Sequence, residues 1–320
     1  GGSGHDLVII DDTADTSGKS GSLSAFSEAR GGGATTVEVG VVRGFGMAVD
    51  VEFEGAEVLD LRLGSGNDTV AIGEDLAFFN VDSAATTVNT FSGMTLVDTG
   101  SGDDTVNTLK TQDLSQTASS LVSISVTTQG VNPTNNASGT SEVVDLQLSG
   151  EVGFFVLEFD AGKNQTVPGA EQTVPLSIAE LIDSSDAAGA EATLTSALES
   201  LRLVGPGFVS VTRDTSDDTR FTITFDAQLG GMPNLVAYET GLLVQTQAGA
   251  DTVSIQSIDQ PTYVRTGTGN DQINLNVAFD STGALDTDVN GVPRKASSNG
   301  VNDLLTVDGQ GGSEKYLAYL

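Results

Sequence analysis

The chain has 320 residues, 38% of them hydrophobic, so it can bury a substantial core and is not disordered throughout. Its 13 Lys and Arg residues against 44 Asp and Glu residues give a formal net charge of −31, which repels phosphate backbones and argues against nucleic-acid binding. The absence of Cys and the single His exclude thiolate chemistry, disulfides and Cys/His zinc sites. The expected partners are cations. No membrane span is expected, because no apolar run reaches about 18 residues.

The composition also predicts the fold class. There are 39 Gly residues, no Trp and only 5% aromatic residues, which is typical of many short strands joined by tight turns. We therefore expect a mainly β protein, and the length favours two domains.

One short pattern recurs along the chain, with the general form G-x-G-x-D-x-U-x-U, in which U is apolar. The clear copies are GSGHDLVII at 2–10, GSGNDTVAI at 64–72, GSGDDTVNT at 100–108 and GTGNDQINL at 267–275. A weaker copy is QAGADTVSI at 247–255, and GQGGSEKYL at 309–317 has Ser313 where the others carry Asp. Such recurrence is typical of repeat architectures.

An apolar segment with alternating polarity leads into most copies. These segments are EVLDLRL, MTLVDT, TGLLVQT, PTYVRT and NDLLTVD, and EVVDLQLSG at 142–150 has the same character. Each unit is therefore predicted to be a strand, a glycine turn and a second strand.

The turns carry the residue types of a calcium site. Glycine permits positive φ and brings backbone carbonyls close to an ion, and the Asp supplies a carboxylate. Calcium takes about 6–8 oxygen ligands at about 2.3–2.6 Å, more than one turn can offer. Two or more turns would have to stack, as they do about 4.8 Å apart in a parallel β-solenoid.

These turns resemble the glycine-and-aspartate repeats of RTX proteins, whose tandem copies form a calcium-filled parallel β-roll. The resemblance implies Ca2+ binding by the turn aspartates Asp6, Asp68, Asp104, Asp251 and Asp271. It extends to the turn glycines Gly64, Gly66, Gly100, Gly102, Gly249, Gly267 and Gly269. The alternative is that Gly and Asp only form a tight corner in which the Asp binds the backbone.

The spacing departs from that family. RTX copies follow one another every nine residues, whereas Asp68 and Asp104 are 36 residues apart and Asp251 and Asp271 are 20 apart. This implies a looser parallel β-helix, in which Asp251 and Asp271 could share an ion across one coil. Asp68 and Asp104 need a longer coil with an insertion such as 76–92.

The segment from 151 to 236 breaks the pattern. It contains a strong strand at 153–160 and an amphipathic helix over 187–201, with Ser184, Ser185 or Asp186 as N-cap. Two further strands, 208–213 and 220–226, are predicted to form a hairpin. The pieces ALESL, VGPGFVSV and FTITFDAQLGG resemble small domains interleaved in giant bacterial surface proteins, which implies no enzymatic activity.

Three polar stretches are predicted as exposed loops, namely 19–33, 129–140 and 281–300. Glycosylation sequons occur at Asn67, Asn136 and Asn164.

We therefore expect a parallel β-helix or β-solenoid with one inserted α+β domain. Residues 1–150 would form a solenoid with RTX-like turns, 151–236 the inserted module, and 237–320 the continuation of the solenoid. The expected function is a calcium-rigidified structural segment of a large extracellular, secreted or cell-surface protein, associating with copies of itself or with neighbouring repeats of its parent. The alternative is an adhesin segment that binds a glycan or another cell, and a polysaccharide-active enzyme is the weaker third interpretation.

Overall fold

The computed structural model describes most of the chain. The described residues are 6–30, 35–56, 58–73, 88–89, 93–109, 122–131, 139–149, 153–160, 173–229, 234–239, 241–258, 262–280, 284–297, 300–301, 305–309 and 311–319. They are mainly β, as predicted, and they fold as two compact units. The first unit combines Gly1–Thr117 with Gly241–Leu320, and the second is Ala118–Thr240.

The elements follow one another in this order. The first unit begins with β1 (Leu7–Asp11), β2 (Ser20–Arg30), β3 (Thr35–Gly44), β4 (Val51–Glu54), β5 (Val58–Arg62), β6 (Thr69–Ile72), β7 (Val88–Asn89), β8 (Met94–Asp98) and β9 (Thr105–Thr108). The second unit contains β10 (Val122–Thr128), β11 (Glu142–Leu148), β12 (Phe154–Asp160), β13 (Leu176–Ser177), α1 (Ile178–Ile182), α2 (Ala187–Glu199), β14 (Val209–Arg213), β15 (Arg220–Phe225), a 3-10 turn (Ala227–Leu229) and β16 (Asn234–Glu239). The first unit resumes with β17 (Leu242–Gln245), β18 (Thr252–Ile255), β19 (Ser257–Ile258), β20 (Thr262–Arg265), β21 (Thr268–Gly269), β22 (Gln272–Leu275), β23 (Gly300–Val301), β24 (Leu305–Asp308), β25 (Gly311–Gly312) and β26 (Lys315–Ala318).

Two large sheets make up most of the first unit, beside the short two-stranded sheets β19-β23 and β21-β25. The first sheet has the strand order β1-β5-β8-β17-β20-β24, and every neighbouring pair in it is parallel. In the second sheet the strands from β26 to β2 have the order β26-β22-β18-β9-β6-β2, and these neighbouring pairs are again parallel. Along the chain, most first-sheet strands are followed by a glycine turn and then by the adjacent second-sheet strand. We call this strand–turn–strand segment a repeat, and its turn the corner.

The core of the first unit is built from alternate residues of both sheets. In the first sheet Leu61, Val97 and Val244 lie in register on neighbouring strands and are fully buried. In the second sheet Val70 and Val106 lie in register on neighbouring strands and are also fully buried. Each fully buried aliphatic side chain contributes about 1.5–3 kcal/mol, so the apolar alternation of the repeats accounts for the stacking of the sheets.

One end of the second sheet is antiparallel. β2 pairs with β3, and β3 pairs with β4, both in antiparallel register. The loop predicted over 19–33 is therefore wrong for its main part, since 20–30 is a strand. The Ser residues that suggested a loop are small enough to be buried beside Leu23 and Ala25, and the Val-rich β3 supplies the partner strand.

The second unit is an antiparallel α+β domain. Its sheets have the orders β10-β11-β15-β14 and β13-β12-β16. The predicted helix is confirmed as α2, which begins after Asp186, whose side chain accepts a hydrogen bond from the Gly189 N–H at 2.9 Å. The predicted hairpin is confirmed as β14 and β15.

The boundary of the second unit differs from the expected one. β11, which resembles a repeat strand in sequence, pairs antiparallel with β10 and β15. Its alternating burial suits an antiparallel sheet as well as a parallel one, so the pattern alone did not decide between them. The unit therefore includes residues from Ala118 onward rather than from 151.

Within the described residues, no helix is long and apolar enough to cross a membrane.

Candidate functional site

The corners of four neighbouring repeats lie in register with one another. They comprise 63–68, 99–104, 246–251 and 266–271, and each joins a first-sheet strand to a second-sheet strand. Because the strands on both sides are paired residue by residue, the last residue of each corner stands beside its equivalents. That residue is aspartate in all four corners.

Backbone hydrogen bonds connect these aspartates into what we call the aspartate ladder, namely Asp68, Asp104, Asp251 and Asp271. The Asp68 N–H donates to Oδ1 of Asp104 at 2.8 Å. The Asp104 N–H donates to Oδ1 of Asp251 at 2.8 Å, and the Asp251 N–H to Oδ1 of Asp271 at 3.1 Å. At one end the Lys19 N–H donates to Oδ1 of Asp68 at 2.7 Å. Each carboxylate therefore holds the backbone of the preceding repeat.

The ladder is withdrawn from solvent. Asp68 is 2% exposed and the other three aspartates are 1% exposed. Oδ2 of Asp104 accepts a hydrogen bond from the Thr99 hydroxyl at 2.6 Å, across the same corner. By contrast, Oδ2 is buried without a hydrogen-bond partner in Asp68, Asp251 and Asp271. The first corner has Leu63 at the register position of Thr99, so no hydroxyl is available there.

Burial disfavours the charged form of the carboxyl groups of Asp68, Asp104 and Asp251. It raises the pKa of Asp104 to about 6, and the carboxylates of Asp251 and Asp68 act in the same direction. Burial also raises the pKa values of Asp68 and Asp251. A column of buried acidic groups is therefore electrostatically costly, although its hydrogen bonds are well formed.

Glycines make the close approach of the corners possible. A β-carbon built at Gly102 would overlap the carbonyl oxygen of Gly66, and one built at Gly249 would overlap that of Gly102. Likewise, a β-carbon at Gly269 would overlap the carbonyl oxygen of Gly249, and one at Gly312 would overlap that of Gly269. Gly267 also has a φ of 75°, a conformation that other residues rarely adopt. The glycine column thus packs backbone against backbone.

The predicted site residues fall into two groups. Asp68, Asp104, Asp251 and Asp271 come together, and the glycines named for the site all lie in their corners: Gly64, Gly66, Gly100, Gly102, Gly249, Gly267 and Gly269. Asp6 lies elsewhere, since it precedes β1 in the first sheet, where its carbonyl oxygen accepts the Val58 N–H at 3.3 Å. The first copy of the motif thus leads into the first sheet, whereas the others lead into the second.

The last repeat carries an acidic residue that the motif alignment missed. Gln272 pairs with Lys315 of the last strand, so Glu314 rather than Ser313 occupies the position beside Asp271. The Glu314 Oε1 atom is buried without a hydrogen-bond partner. Counting backward from the alternating segment KYLA, instead of forward from the glycines, would have found this position.

Calcium needs more oxygen atoms than the ladder leaves available. Calcium takes about 6–8 oxygen ligands, but each Oδ1 already accepts a backbone N–H, and one Oδ2 accepts the Thr99 hydroxyl. Among the described residues, no group of three or more His, Cys, Asp or Glu side chains could hold a metal ion. The donor set therefore does not fit calcium well, and the calcium assignment stays a prediction.

Three arginines at strand positions form ion pairs with aspartates. Arg62 pairs with Asp60 on its own strand, and Arg220 pairs with Asp145 on the neighbouring strand. Arg265 lies 3.7 Å from Asp308. These pairs give the arginines a structural role.

Comparisons with family models, with curated proteins and with solved structures found no match to this chain.

Proposed function

We propose that the first unit is a β-solenoid and that the chain is a structural segment of a large extracellular surface protein. The register of the four corner aspartates carries the proposal. Equivalent residues stand beside one another over successive repeats, as they do when a chain winds with a constant path.

The path of the chain supports the solenoid. Both sheets have the same order of repeats, and the chain passes from one sheet to the other at each corner. The Asp104 N–H reaches Asp251 although the two residues are 147 apart in sequence. The second unit is thus inserted between two repeats whose pairing stays regular on both sides.

The chemistry of the corners supports a structural role. Their carboxylates and glycines serve backbone contacts between repeats, and the ladder is closed to solvent, so it offers no surface to a substrate. The net charge of −31 opposes non-specific association of such a chain. An extracellular location is part of this proposal and rests on the resemblance of the repeats to those of secreted proteins.

Mechanical unfolding of single molecules, combined with binding assays, tests the proposed function. We expect the first unit to unfold under force in one cooperative step. Gly66→Ala should lower the unfolding force, because its β-carbon would overlap the backbone of Gly18. Gly311→Ala is the matched control, since its β-carbon would meet only a Thr268 methyl group at 3.8 Å.

The same preparation should show no saturable binding to glycans or to cells. Saturable binding of glycans or cells by the monomeric chain would contradict the structural role and favour the alternative function, an adhesin segment. Equal unfolding forces for the two glycine variants would contradict the stacking of the corners.

A further inference from the structure

We infer that the aspartate ladder joins the repeats by hydrogen bonds alone, so that Ca2+ is not required for the first unit to fold. The inference rests on the stacking of repeats proposed above, and not on the extracellular role. It departs from what the resemblance to calcium-binding repeats implies.

An ion at the ladder would need the carboxylate oxygens most. Oδ1 of Asp104, Asp251 and Asp271 each faces a backbone N–H of the preceding repeat at 2.8–3.1 Å. The positive end of an N–H dipole repels a cation at the same oxygen. An ion that displaced this hydrogen bond would leave a buried amide group without an acceptor, which costs about 1–3 kcal/mol for each group.

The backbone oxygens of the corners also have neighbours in the adjoining repeats. The main-chain oxygens of Asp68, Asp104 and Asp251 accept hydrogen bonds from Thr105, Thr252 and Gln272, each at 2.8 Å. The carbonyl oxygens of Gly66, Gly102, Gly249 and Gly269 lie against the glycine of the next repeat. The main-chain oxygens of these aspartates are therefore engaged in pairing between strands, and those of the glycines face the backbone of the next repeat.

Few side-chain oxygens of the corners are left without a hydrogen-bond partner. They are Oδ2 of Asp68, of Asp251 and of Asp271, the Thr266 hydroxyl oxygen, and Oε1 of Glu314, which stands beside Asp271. No corner offers more than two of them, which is well short of about six ligands. An asparagine would keep the ladder hydrogen bond, because its Oδ1 accepts the same N–H, and it would remove the buried charge at the smaller cost of burying an amide NH2 group.

The test compares Asp251→Asn with Asp103→Asn, in the full chain. Both variants remove one negative charge, but Asp251 is buried whereas Asp103 is exposed and accepts the Ala250 N–H at 2.9 Å. We expect Asp251→Asn to raise the melting temperature of the first unit by about 2–4 °C. We expect Asp103→Asn to leave it unchanged. Neither EGTA nor millimolar CaCl2 should shift the melting temperature of the unmodified chain.

A fall in melting temperature with EGTA, or destabilisation or loss of folding in Asp251→Asn, would overturn the inference. Failure of the stacking itself has a separate signature in hydrogen exchange. Rapid exchange of the Asp68 and Asp104 amide hydrogens in the native chain would show that the corners do not stack, whatever calcium does.

Discussion

Asp104 combines burial, hydrogen bonding and proximity to other acids. Its carboxylate receives the Asp68 N–H and the Thr99 hydroxyl, yet burial still raises its pKa to about 6. In the unfolded chain this group has its ordinary pKa of 3.8. Between these two pH values the folded chain holds a proton that the unfolded chain has lost, so the contribution of Asp104 to stability is full at the acidic end and is lost as the pH rises towards 6.

Replacing the carboxyl group of Asp104 should remove its contribution to the pH dependence of stability. We expect Asp104→Asn to stabilise the first unit more at pH 7.5 than at pH 4.5, because the buried charge exists only at the higher pH. Urea denaturation of both proteins at both pH values measures the difference. An equal effect at the two pH values would show that the carboxyl group of Asp104 has no raised pKa.

The individual residues of the ladder were largely predictable. The G-x-G-x-D pattern identified Asp68, Asp104 and Asp271 directly, and the alternation around Asp251 identified the weaker copy. Asp6 and Ser313 were assigned incorrectly from the motif, because a local motif reveals neither which sheet its strand joins nor the register in which that strand pairs. That choice depends on pairing between distant segments, which the spacing of the copies left open.

Among the elements, β14 carries the residue that organises the second unit. Arg213 at its end is 4% exposed, and its guanidinium donates to the carbonyl oxygens of Ile182, Asp183 and Asp218 at 2.7–2.9 Å. The guanidinium also lies 5.8 Å from the Phe221 ring centre. One side chain thus donates hydrogen bonds to free carbonyl oxygens at the carboxyl end of α1 and in the turn between β14 and β15.

Loss of this side chain should unfold the second unit selectively. Arg213→Leu leaves several carbonyl oxygens without a donor, and we expect it to destabilise the second unit by about 3–5 kcal/mol. Calorimetry with separate transitions for the two units measures this effect. Arg220→Ala is the control, since its ion pair with Asp145 is solvent-exposed and its loss should change little. Similar losses in both variants would contradict the role assigned to Arg213.

The elements differ in how far sequence predicts them. The 3.6-residue periodicity and Asp186 were sufficient for α2, because a helix is held by contacts close in sequence. β2 was missed, because its alternating Ser and apolar residues become a strand only through pairing with β3 and β6. Strand formation of this kind depends on partners that local composition does not reveal.

At the scale of the whole chain, the second unit interrupts the repeats in sequence but not in their pairing, since β8 pairs with β17 and β9 with β18. Thr108 and Ile255 occupy equivalent positions in register, and Leu242 is equivalent to Thr262. Residues 256–261 therefore show how short a link between two repeats can be.

Replacing residues 109–241 by QSIDQP should leave the first unit folded. We expect its melting temperature to stay close to that of the first unit in the full chain, with the Asp104 amide hydrogen still protected from exchange. Differential scanning calorimetry and hydrogen exchange measure these properties. An unfolded or aggregated product would show that the second unit supports the repeats on either side of it.

The antiparallel β2–β3–β4 arrangement restricts how such a chain can lengthen in evolution. β3 occupies the edge of β2 at which a further parallel strand would have to pair. Duplicated repeats can therefore be accommodated between existing ones, or on the β26 side of the sheet, but not outside β2. New outer repeats can therefore be added at only one end of the sheet. Related chains of different length should keep the antiparallel β2–β3–β4 strands at the other end.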